Sequence, residues 1–108
     1  MNQLTIGRSS NGKLFDACVG QLITITLNEN PTTGYRWKPD ELQEETIFLE
    51  DSKYSTHQKS GIGGGGIRTF TFRTRSPGTS KIHLSLKREW ETEKRPIDEF
   101  EVFFQVIG

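Results

Sequence analysis

Residues 21–39 read "QLITITLNENPTTGYRWKP". In the first half Ile23, Ile25 and Leu27 alternate with Leu22, Thr24 and Thr26, the period-two signature of a strand with one face turned inward. Pro31 cannot donate to a strand ladder, and Gly34 reaches backbone angles that other residues avoid. The chain therefore turns within residues 30–34, and "YRWKP" follows at once as a second strand. The turn is stiff, carries Thr32 and Thr33, and leads into Tyr35 and Trp37. At least one of those two aromatic rings is expected to pack beneath it.

The same alternation recurs on both sides. In "RTFTFRTR" Phe70 and Phe72 face one way; in "KIHLSLK" Ile82, Leu84 and Leu86 do. In "EFEVFFQVI" Phe100, Val102, Phe104 and Val106 form the apolar face. Shorter strands are expected at "LTIG" and "TIFLEDS", with turn chemistry in "SSNG", "SGIGGGG", "SPGT" and "ETEKRP". Only "PDELQEE" could form a helical turn, and it lacks an apolar face. The pattern predicts an all-β fold, an antiparallel sandwich of seven to eight strands.

A chain of 108 residues suits one domain over residues 1–108. At this size roughly 60–70% of the unfolded surface can be buried, so no metal or disulfide staple is required. Fourteen basic residues balance fourteen acidic ones, which gives no net-charge argument for nucleic acid or a membrane surface. Cys18 is the one cysteine, so no intramolecular disulfide can form. The start "MNQLTIGRSS" shows no signal peptide, and a cytoplasmic location is expected, with a vesicular or secreted one open.

Beside the turn at residues 30–34, two stretches could carry chemistry. In "SGIGGGGIR", Gly61, Gly63 and Gly66 have the G-x-G-x-x-G spacing, but a strand pattern follows where a dinucleotide site needs a helix. The segment is either a loose hairpin connection or a place where another backbone approaches closely. In "LKREWETEKRPIDEF" Trp90 either caps the core edge or stands exposed beside Arg88 as a binding anchor. His83 reads as a solvated surface residue, His57 lies in a polar stretch, and Cys18 reads as a small, partly buried side chain. The two histidines do not make a zinc site, and no cofactor is implied. An enzyme pairing Cys18 with a histidine stays a formal alternative.

Taken together, the segments resemble the chagasin-type inhibitors of papain-like cysteine proteases. That family carries an Asn-Pro-Thr-Thr-Gly loop, a glycine-rich loop and an Arg-Pro-Trp loop. The matching residues are Asn30, Pro31, Thr32, Thr33 and Gly34; Gly61, Ile62, Gly63, Gly64, Gly65 and Gly66; and Arg88 with Trp90. The likeness runs from residue 18 onward; Glu89 replaces the family proline, and Leu86 stands where a tyrosine is common. Without that proline the third loop is expected to be more mobile.

The resemblance implies an immunoglobulin-like sandwich with the three loops at one end, forming a wedge for a protease cleft. Thr32 and Thr33 would block the nucleophilic cysteine. The glycines at 61–66 would pair through their backbone, and Trp90 would meet an aromatic surface. Papain-like proteases are then the expected partners, with no nucleic acid and no membrane, and the free chain a monomer. The other reading is an immunoglobulin-like adhesion or scaffold module that binds a non-protease partner through the same loops.

Overall fold

The computed structural model describes residues 3–56, 65–91 and 94–108. The strands are β1 (Leu4–Ile6), β2 (Leu14–Cys18), β3 (Leu22–Glu29), β4 (Tyr35–Pro39), β5 (Ile47–Thr56), β6 (Gly66–Thr74), β7 (Gly78–Arg88) and β8 (Asp98–Ile107). They form two four-stranded sheets, ordered β1-β3-β6-β5 and β2-β8-β7-β4. The phases expected from the sequence hold. Ile23, Ile25 and Leu27 of β3, Phe70 and Phe72 of β6, Ile82 and Leu84 of β7, and Phe100 to Val106 at alternate positions of β8 are buried in one core between the sheets. Trp37 joins them from β4. Among the described residues, no helix is long and apolar enough to cross a membrane.

Five expectations are corrected. The sandwich is antiparallel in its interior pairings, but β1 runs parallel to β3 and β2 parallel to β8. β2 was not anticipated: Phe15 and Ala17 point inward, but Leu14 and Cys18 on the outward face are apolar too, so "LFDAC" shows no clean polar alternation in its letters. The stretch "PDELQEE", which could have formed a helical turn, is not a helix; short 3-10 turns lie instead at Arg8–Ser10 and Pro31–Thr33. Cys18 is exposed, because the alternation that buries Ala17 turns its neighbour outward. His83 is not a free surface residue. It is paired through Nδ1 with Asp40 and through Nε2 with Glu99 at 3.0 Å, as residues after β4 cross beside β7. His57 lies outside the described residues.

Register places the connections. Antiparallel pairing of β3 with β6 ends at Glu29 and Gly66, and pairing of β5 with β6 ends at Thr56 and Gly66. Pairing of β4 with β7 ends at Tyr35 and Arg88. The β3–β4, β5–β6 and β7–β8 connections therefore leave the same end of the sandwich.

Candidate binding surface

Residues 30–34 close on themselves. Asn30 Oδ1 accepts from the Thr32 N–H at 3.1 Å and from the Thr32 hydroxyl at 2.7 Å. This caps the 3-10 turn in which Pro31 holds the first helical position, where its missing N–H costs nothing. The Thr33 hydroxyl donates to the Asn30 carbonyl at 2.7 Å, and the Gly34 N–H donates to the Pro31 carbonyl at 3.0 Å. Gly34 ends the turn at a φ of +82°, in the left-handed region. Thr32 and Thr33 are exposed, but their hydroxyls are already engaged with the turn. Trp37 is buried in the core, and its indole N–H donates to the Asn28 carbonyl of β3 at 2.9 Å, two residues before the turn. Trp37 thus anchors the strand end before the turn, and the Tyr35 N–H donates to the Thr33 hydroxyl at 3.3 Å after it.

Arg88 joins the first loop to the third. Its Nε donates to the Thr33 carbonyl at 3.0 Å, and its Nη1 pairs with Glu91 at 3.0 Å. The guanidinium carbon sits 4.3 Å from the Tyr35 ring centroid and 5.7 Å from that of Trp90, within the range of cation–π attraction. Trp90 is 70% exposed and does not cap the core. Its ring lies over Gly34: a Cβ added there would come within 2.5 Å of Trp90 Cη2. Gly34 is therefore fixed by its backbone angle and by this overlying ring.

Glu89 has an anchor that proline could not supply, a 2.6 Å ion pair with Lys38. Glu91 pairs with both Arg88 and Lys94. Both carboxyls are lowered from the usual 4.5, Glu89 first by its hydrogen bond to Lys38 and Glu91 first by its bond to Lys94, then by that to Arg88.

Of the glycine-rich segment, Gly61, Ile62, Gly63 and Gly64 lie outside the described residues. Gly66 is buried as the first residue of β6, and a Cβ there would collide with the Tyr54 hydroxyl and the Ser55 carbonyl. Its lack of a side chain serves the chain's own packing. Gly65 is exposed beside it. A groove of about 480 Å³ runs between the three connections, with Asn30, Thr33, Tyr35, Gly65, Leu86 and Ile97 among its walls. A larger one of about 710 Å³, lined in part by Asp40, Leu42, Ser80 and Phe103, lies away from this end.

Glu29 and Arg68 are the residues that sequence reasoning passed over. Both stand in the inward phase, Glu29 after Ile23, Ile25 and Leu27, and Arg68 before Phe70 and Phe72. A charge continuing an apolar register was the available signal.

The model of the family described as "Chagasin family peptidase inhibitor I42" matches residues 16–103. Chagasin of Trypanosoma cruzi is 28% identical over 104 residues, covering 93% of this chain and 94% of that protein. Amoebiasin-2 of Entamoeba histolytica is 32% identical over 77 residues, covering 70% of this chain and 63% of that protein. Among solved structures, the cysteine protease inhibitor EhICP2 from Entamoeba histolytica superposes with a TM-score of 0.86 at 25% identity, covering 99% of this chain and 100% of that one.

Proposed function

Because the chain belongs to the chagasin family of peptidase inhibitors, we propose that it binds papain-like cysteine proteases reversibly and competitively, with loops 30–34, 61–65 and 88–91 wedged into the active-site cleft and Gly66, buried in β6, left out of the contact. It is an inhibitor and not an enzyme. The supporting observation is the closed geometry of the first loop. A protease cleaves backbone it can draw out in an extended form. Residues 31–33 are wound into a 3-10 turn, and the Thr33 carbonyl is held by Arg88. A loop so held can occupy a cleft without becoming a substrate, and its order before binding reduces the entropy lost on association.

In this reading Thr32 and Thr33 face the nucleophilic cysteine, Asn30, Pro31 and Gly34 shape the turn that presents them, and Gly61 to Gly65 offer backbone groups on one side. Trp90 packs on the other side, held in place by Arg88. A contact of standard inhibitor size would bury about 1,600 Å² in total. The test is titration against papain with a fluorogenic substrate: inhibition that rising substrate relieves is expected. No inhibition across a panel of papain-like enzymes would leave a scaffold module binding some other partner.

The unit is residues 1–108 acting as one domain, monomeric when free; light scattering on a gel-filtration column checks this. The lone, exposed Cys18 supports a reducing, cytoplasmic setting. Cell fractionation that finds the protein in vesicles would overturn that part.

A further inference from the structure

Four strand stems carry the first two loops: β3 and β4 flank residues 30–34, and β5 and β6 flank the glycine-rich connection. All four meet on one ion pair. The side chain of Glu29, the last residue of β3, has no solvent exposure, and that of Arg68 in β6 has 15%. Arg68 donates to Glu29 Oε2 from Nε at 3.1 Å and from Nη2 at 2.8 Å. Glu29 Oε1 accepts the backbone N–H of Trp37 in β4 at 2.8 Å. Arg68 Nη1 donates to Ser52 Oγ in β5 at 3.2 Å, and the guanidinium carbon lies 5.7 Å from the Tyr54 ring centroid. Since β4 belongs to the other sheet, the carboxylate also ties the two sheets together directly under the loops.

Stability alone does not call for this arrangement. Apolar side chains of similar volume often replace a buried ion pair at no loss. What a guanidinium fork on a carboxylate adds is direction and spacing. We propose that Glu29 and Arg68 are positioning residues for inhibition, fixing the offset between residues 30–34 and the β5 and β6 stems at Thr56 and Gly66 that carry the glycine-rich loop, without touching the target. This rests on the inhibitory reading above.

The test uses Arg68→Lys, which keeps the charge and loses the fork, and Glu29→Gln with Arg68→Met, which keeps an acceptor for the Trp37 N–H and removes both charges. Inhibition of papain is measured where urea titration and near-ultraviolet circular dichroism show each variant folded. The expected result is an inhibition constant raised by about tenfold or more in both, with the amide resonances of Gly34 and Gly65 displaced. Folded variants that inhibit like wild type, with those resonances unmoved, would overturn the proposal and leave the pair a structural one. Failure of the wild type to inhibit any papain-like enzyme would instead overturn the inhibitory reading, and the resonances would still report whether the pair sets the offset.

Discussion

Asn30 accepts from both the backbone N–H and the hydroxyl of Thr32, so alanine at this position removes both bonds at once. Loss of such a cap costs about 1 kcal/mol. Asn30→Ala is expected to lower the urea midpoint by a matching amount and to weaken inhibition, because the turn it closes is the one presented to the target. Trp90 should behave in the opposite way. At 70% exposure its side chain contributes little to the core, so Trp90→Ala should change stability by no more than about 0.5 kcal/mol. If it is a binding anchor, the same change costs about 2 kcal/mol or more of affinity, read mainly in the dissociation rate. A fall in stability with an unchanged dissociation rate would make Trp90 a cover for Gly34 and nothing more.

At the scale of elements, neighbouring glycines part company. Gly66→Ala should destabilise by about 1–3 kcal/mol, because the new Cβ meets the Tyr54 hydroxyl and the Ser55 carbonyl. Replacing Gly64 and Gly65 by valine should leave the melting temperature nearly unchanged and weaken inhibition, if that loop binds through its backbone. Unaltered inhibition would favour a loose connection. The third loop has a pH dependence of its own. Both Glu89 and Glu91 have lowered carboxyl values, caused by Lys38 and by Lys94 with Arg88. A depressed value stabilises the fold above the unfolded value and loses that contribution as pH falls through the folded one. The anchoring is therefore complete at neutral pH and released only below 4.5. Carboxyl-carbon titration by NMR should give midpoints for both residues under the usual 4.5.

Legibility at this scale followed burial on one face. β3, β6, β7 and β8 alternate cleanly and were readable from the sequence. β2 has apolar residues on both faces, Phe15 and Ala17 inward and Leu14 and Cys18 outward, so period two did not single it out. The turn at 30–34 was readable as a turn, but not the Asn30 cap that winds it into 3-10 geometry. Arg88 was legible as a candidate, and its hydrogen bond to Thr33 was not, because that contact spans 55 positions of sequence. Glu29 shows the limit from the other side: the phase that turned it inward was visible, while its partner could be known only once β3 and β6 lay side by side.

Across the whole molecule, inhibition without chemistry is the expectation. Neither Thr32 nor Thr33 offers an electrophile to a thiolate, so intact-mass spectrometry of the complex after denaturation should return two unmodified masses. A stable adduct would overturn this. The parallel edges were beyond sequence reading, because a period-two pattern does not record strand direction. One consequence of the topology concerns orientation on a support. β8 begins opposite Leu86, beside the third loop, and runs away from it until Val106 lies opposite Gly78. Ten residues of strand, Asp98–Ile107, thus separate the loop end from position 108, a distance of about 30 Å at strand rise. A bead or sensor chip coupled at position 108 would hold the molecule with its loops pointing into solution, and captured papain should bind there as tightly as it does free. Coupling through Lys94, next to the third loop, should cut the capacity of the same surface.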